Sequence, residues 1–378
     1  MTFGLKAAGC DKWLVWSGWV ILAAALLVIP PLAGAFLTGK PLAQYLNFMP
    51  STLYVQHPPF SWPIFILLTL LIFTCVMPFL YRLFRVQGPP VKSVAKHAPF
   101  PWWGWLGIAM LLFSWALAWA SVDEPNEWQR YTFTPLWLGY ILLMNGLSVK
   151  RKGRCLMLSQ PGKFLLLFAV SALFWWFFEY LNQFVHNWYY VGLGDISPLS
   201  RILSASLAFS TVLPAVLSTT YWLATFSRMQ HAYTNHWTFK ISYPRVLAVI
   251  GLIASTLSLF ALGGWPDYFY PLIWLSPLIV LLSLQVLAGY RTVFSSVQYG
   301  DWRPVCLPIL AGLQCGFCWE LWNYGSTAHW QYSIPYVNRF YLFEMPLLGY
   351  AGYFSFGLEC ILIASLLGVE SHADLPQN

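Results

Sequence analysis

Charge is what this sequence has least of: Asp, Glu, Lys and Arg make up 9% of 378 residues, and only 13 residues are acidic. Soluble globular domains carry roughly 25% charged residues, so an ordinary soluble fold is excluded. The chain also lacks a Gly-rich phosphate loop, H-E-x-x-H and G-x-S-x-G, which argues against nucleotide-driven transport and zinc proteolysis. Cysteine is missing from the long outward loops where a stabilising disulfide would sit, so Cys10, Cys75, Cys155, Cys306, Cys315, Cys318 and Cys360 read as reduced thiols. Cys315 and Cys318 form a C-x-x-C, but inside a membrane helix that spacing reads as small-residue packing rather than redox or metal chemistry.

What the chain has instead is apolar length. Its residues are 58% apolar, with 22 Trp, 21 Tyr and 28 Phe, the composition of an all-α, polytopic integral membrane protein. Runs of about 20 apolar residues, enough to cross a bilayer, fall ten times, at 13–37, 61–84, 102–121, 132–149, 163–184, 199–226, 245–263, 268–289, 304–324 and 340–368. The first run is too long for a signal peptide and reads as an uncleaved span, kinked or split at Pro30-Pro31. Alternating the loops sorts sixteen Lys and Arg to one side and leaves Lys40, Arg130, Arg201 and Arg339 on the other, with the acidic Asp123, Glu124 and Glu127. That bias predicts cytoplasmic termini, in a bacterial inner membrane, and accounts for the net charge of +7 without a nucleic-acid partner. The proline-rich segment 40–60 is expected to lie along the outer interface in short broken pieces.

An internal repeat organises the rest. Trp128 and Trp137 match Trp265 and Trp274; Glu179, Asn182, Trp188 and Tyr190 match Glu320, Asn323, Trp330 and Tyr332; Pro214 and Tyr221 match Pro346 and Tyr353. This predicts about ten transmembrane helices: an N-terminal two-helix addition (1–99), a four-helix repeat (100–226), a cytoplasmic linker (227–244), a second four-helix repeat (245–368) and a tail (369–378). An even number of spans per unit makes the repeats parallel, related by an axis along the membrane normal.

Four carboxylates, Glu179, Glu320, Glu344 and Glu359, fall within the expected spans, where an acid faces the protein interior or a cavity and is a candidate proton donor. Glu179 and Glu320 lie near the outer ends of their helices and Glu344 near the outer start of the last one; Glu359 lies about 22 Å further along that helix. Asn182 and Asn323 share a face with their acids, and His186 continues it. The expected pocket between the repeats is lined by Glu179, Asn182, His186, Glu320, Asn323 and Glu344, with Trp188, Tyr190, His329, Trp330 and Tyr332 near its mouth. Gly312 and Gly316 would let another helix approach closely. Two plainer readings compete: Glu-x-x-Asn as glue between repeats, and the Trp and Tyr residues as an interfacial belt. No metal site is expected at His231 and His236, which flank a loop, and His57 and His97 have no partner legible in the sequence.

A helix ending in an acid, then W-x-Y, then a helix opened by proline with a nearby Glu resembles the integral-membrane lycopene cyclase domain, over residues 130–226 and 268–360. That family also occurs as two fused copies. The resemblance implies that membrane carboxyl groups protonate a polyene, which cyclises through carbocations. Glu179 and Glu320 match the acid before W-x-Y, and Glu344 approximates the acidic pair after the family's proline. The departures are that Glu344 precedes Pro346, that Ala215 and Val216 follow Pro214, and that each repeat has four expected spans where the family has three. The expectation is an enzyme performing acid–base chemistry on an isoprenoid or other lipid, with no cofactor and with membrane lipids and a hydrophobic small molecule as partners. A proton-coupled carrier or lipid flippase, and a non-enzymatic accessory protein, are the alternatives.

Overall fold

The computed structural model describes residues 9–86, 98–120 and 127–369. Lys6, Lys92, Lys96, His97, Asp123 and Glu124 lie outside the described residues. The chain is mostly helical, and eight helical stretches among the described residues are long and apolar enough to cross a membrane. In chain order the helices are α1 (Gly9–Leu37), α2 (Trp62–Arg85), α3 (Trp102–Ala118), α4 (Phe133–Lys152), the short α5 (Leu156–Ser159), α6 (Pro161–Val185), α7 (Pro198–Phe209) and α8 (Val212–Leu223). After these come the short α9 (Ser227–Ala232), α10 (Pro244–Gly264), the short α11 (Pro266–Phe269), α12 (Leu272–Leu287), α13 (Arg303–Tyr324) and α14 (Gly352–Leu366). The apolar helices α3 and α12 are shorter, at 17 and 16 residues.

Local chemistry sets several boundaries. Helix α4 ends on Lys150, Arg151 and Lys152, whose charges complement the helix dipole, and on Gly153, whose left-handed backbone donates to Val149. Helix α6 starts with Pro161 at its first position, where no N–H is needed, and stops at His186 in the left-handed conformation.

Three of the expected spans differ in detail from the sequence reading. Helix α1 runs through Pro30 and Pro31 without splitting. The span expected at 199–226 is found at Pro198–Leu223, but its helix is interrupted between α7 and α8, because Pro214 has no N–H to give the Ser210 carbonyl. Ser171 on α6 bridges the break, donating to the Phe209 carbonyl (2.6 Å) and accepting from the Leu213 amide (3.0 Å). The span expected at 340–368 is found at Leu347–Leu366, α-helical only from Gly352. Ahead of it, β3 (Tyr341–Leu342) and β4 (Met345–Pro346) pair in a hairpin, followed by a 3-10 turn at Leu347–Ala351. Phe340 and Phe343 adopt positive φ, and the residue before Pro346 is disfavoured in a helix, so the chain turns there.

Helix α13 packs on α14, α8 touches α4, α6 and α13, and α10 packs on α1 and α12. Lipid is as apolar as Leu, so such contacts depend on close approach. Gly312 and Gly316 serve it: a side chain at Gly312 would press on the Tyr353 carbonyl and Gly357, and one at Gly316 would collide with the Tyr353 ring. Above the helices, β1 (Trp188–Val191) pairs antiparallel with β2 (His329–Tyr332), Trp188 opposite Tyr332 and Tyr190 opposite Trp330. The segment 40–60 is stitched over these strands. Ser51 accepts from the Tyr190 amide (2.7 Å), Val55 from the Ser333 hydroxyl (2.8 Å), and Tyr45 stacks on Phe184.

Candidate functional site

Each W-x-Y strand is tied to the helix before it. Asn182 donates to the Trp188 carbonyl (2.8 Å) and accepts from the Asn187 and Trp188 amides (2.9 and 3.3 Å). Asn323 donates to the Trp330 carbonyl (2.7 Å) and accepts from its amide (2.8 Å). These asparagines are spent on backbone; neither lines the cavity described below.

With the strands clamped, their side chains fold back onto the acids. Glu179 Oε1 accepts from Tyr190 Oη (2.6 Å), Trp188 Nε1 (3.0 Å) and Trp175 Nε1 (3.1 Å). Glu320 Oε1 accepts from Tyr332 Oη (2.7 Å) and Tyr353 Oη (2.9 Å), and Trp330 Nε1 donates to the Tyr332 oxygen (2.8 Å). Both carboxyls are buried, and in each the second oxygen, Oε2, is buried without a hydrogen bond. Burial, and then the adjacent carboxyl, push the Tyr190 and Tyr332 hydroxyls well above their ordinary pKa, so both phenols hold their protons.

A cavity opens on the far side of this aromatic layer, with a volume of about 180 Å³ open to the centres of water molecules. Trp188, Tyr190, His329, Trp330 and Tyr332 line it, together with Trp175, Trp274, Trp319 and Tyr353. The arrangement inverts the sequence expectation: the residues expected at the mouth form the wall, and Glu179 and Glu320 stand behind it, hydrogen-bonded to tyrosines of that wall. Nothing in the sequence flagged Trp175, although its spacing of four residues before Glu179 puts it on the same helix face.

His186 and Glu344 do not join the group. His186 caps α6, its backbone turned left-handed, and its carbonyl accepts from His57 Nε2 (3.3 Å). His57 has a partner after all in Asp267, 2.7 Å from Nδ1. Glu344 sits in the β3–β4 turn, half-buried, and reaches Glu320 only through its charge. Glu359 is fully buried in α14 beside the Leu278 backbone of α12, just past Pro277, and lies outside the cavity. The Cys315 thiol contacts the Tyr140 and Thr219 hydroxyls. No group of three or more His, Cys, Asp or Glu able to hold a metal occurs among the described residues.

Comparisons with family models, with curated proteins and with solved structures found no match to this chain.

Proposed function

We propose that this chain is an integral membrane enzyme performing acid–base chemistry, of the cyclase or isomerase kind, on an isoprenoid or other lipid. One observation carries the reading: Tyr190, Tyr332 and Tyr353 all line an aromatic cavity, and each donates its hydroxyl proton to a buried carboxyl. Such a pair works in either direction. A tyrosine oxygen takes a proton from a substrate carbon while its own proton passes to the carboxylate; run backwards, the protonated carboxyl reloads the tyrosine as the phenol protonates a double bond. One cluster donates and the other accepts, so the carbocation formed by the first step is discharged by the second; one proton has then moved from the first carboxyl to the second, and exchange of each carboxyl with water between turnovers restores the starting state. Trp and Tyr faces stabilise the cation between these steps, and a dry wall keeps water from quenching it. The resemblance of the acid and W-x-Y to the membrane lycopene cyclase domain points the same way.

The architecture proposed with it is ten spans, as two N-terminal helices and two parallel four-helix repeats, in a bacterial inner membrane with both termini cytoplasmic. The matched Asn clamps and Glu–Tyr bonds support the duplication, as does the strand register, centred on Tyr189 opposite Gln331.

Cyclisation and isomerisation conserve mass, which defines the test. Lipids co-purified in mild detergent with wild type and with Glu320→Gln are compared by chromatography and mass spectrometry. The expected result is two species of equal mass and different retention whose ratio moves toward substrate in the variant. Identical bound species in both proteins would overturn the reading, and flux driven by a pH gradient in proteoliposomes would then favour a carrier.

A further inference from the structure

The cavity has a second chemical character that proton transfer does not use. Arg130 and Arg201 both line it, and among the residues whose side chains are described, which exclude Glu127, no carboxylate forms an ion pair with either. In each, Nε is buried without a hydrogen-bond partner. Asp195, in the intervening loop, is exposed and engages neither. The Arg130 guanidinium lies against Gly194, where a Cβ would collide with it. No Asp or Glu among the described residues lines the cavity, so its described wall carries two fixed positive charges and no negative one.

The charges also have a position. Along α7 the cavity is lined by Arg201, Ser204, Ala205, Ala208 and Phe209, one face of the helix at spacings of three and four residues. From Arg201 to Phe209 that face descends about 12 Å, at 1.5 Å per residue. Arginine stands at the outer end, small residues make room below it, and Phe209 with Trp175 and Trp319 closes the inner end.

We propose that the cavity binds an amphiphile with an oxyanion head, held by Arg130 and Arg201, and an apolar tail laid along α7 toward Phe209. Guanidinium groups suit phosphate and carboxylate because their N–H donors match two oxygens at once, and an unpaired buried Nε–H is a donor awaiting such a partner. The inference rests on the reading of the cavity as a lipid site and narrows the substrate to anionic-headed lipids.

The test is binding, read by quenching of the cavity tryptophans in neutral maltoside detergent. Dodecyl phosphate, dodecanol and inorganic phosphate are titrated against wild type, Arg130→Gln/Arg201→Gln and Arg130→Lys/Arg201→Lys. Dodecyl phosphate should bind wild type at least tenfold more tightly than either dodecanol or inorganic phosphate. The Gln variant should lose that preference while keeping its dodecanol affinity, which also reports that the cavity is intact; the Lys variant should retain most of it. Equal binding of dodecyl phosphate and dodecanol to wild type would overturn the oxyanion head, and this comparison needs no variant to fold. Inorganic phosphate binding as tightly as dodecyl phosphate would overturn the tail. Because the readout is affinity, an unchanged isomer ratio in Glu320→Gln would remove the acid–base reading and leave this result standing.

Discussion

Tyr332 and Glu320 are joined by a 2.7 Å hydrogen bond between the hydroxyl of a residue that lines the cavity and the carboxyl of one that does not. The tyrosine oxygen also accepts from Trp330 Nε1, so it is fixed on two sides and held toward the acid. Tyr332→Phe removes both bonds and strands a buried indole N–H. The expected cost is about 1–3 kcal/mol of stability, measured as a lower midpoint of thermal unfolding in detergent, together with a shift of the bound isomers toward substrate. Tyr189→Phe, whose hydroxyl bonds only Gln331, is the control and should leave the isomer ratio unchanged.

Asn323 satisfies both the amide and the carbonyl of Trp330. In Asn323→Ala both backbone groups lose their partner at once, again at about 1–3 kcal/mol. The strand should loosen before the helices do, so hydrogen–deuterium exchange should accelerate at residues 329–332 and, through strand pairing, at 188–191. Exchange confined to α13 would show that Asn323 supports its own helix instead.

Much of this was legible because it follows from spacing. The match of Glu179, Asn182, Trp188 and Tyr190 with Glu320, Asn323, Trp330 and Tyr332 is visible in the chain, and those residues form two closely similar hydrogen-bonded clusters. What spacing could not reveal was which side of the aromatic layer is empty. An acid in an apolar run suggests a cavity beside the acid, whereas here the long Tyr side chains reach between them. Hydropathy also misread residues 340–346, because a membrane-like composition says nothing of the positive φ at Phe340 and Phe343. Arg130 and Arg201 were sorted by charge as loop residues; that both border one cavity depends on contacts far apart in the chain.

Glu344 follows from that correction. It stands in a turn, half-buried, with no hydrogen bond to its carboxyl among the described residues. Glu344→Gln should leave both the unfolding midpoint and the bound isomer ratio close to wild type, while Glu320→Gln changes the ratio. An equal effect of the two substitutions would return Glu344 to the site.

Gly316 links packing to chemistry, because the ring it makes room for is that of Tyr353, whose hydroxyl bonds Glu320. Gly316→Ala should push the ring away at a cost of about 1–3 kcal/mol, and the isomer ratio should move toward substrate. Gly18→Ala, where nothing lies within 4 Å, should change neither.

Stability should also depend on pH through His186. Burial, and then the positive charges of His57 and Lys40, lower its pKa below the ordinary 6.5; Asp267, on the other side of His57, is the remaining charge of the group. The folded protein therefore holds His186 neutral in a range where the unfolded chain binds a proton. Between the two pKa values the unfolded state carries more protons, so stability rises with pH. The contribution of His186 is complete above about 6.5, the unfolded value, and declines as the pH falls below it. His186→Asn removes the titration and keeps the left-handed cap, a conformation Asn tolerates. Unfolding midpoints measured from pH 7.5 to 5.5 should fall more steeply in wild type than in this variant; parallel profiles would mean that the loss on acidification arises elsewhere.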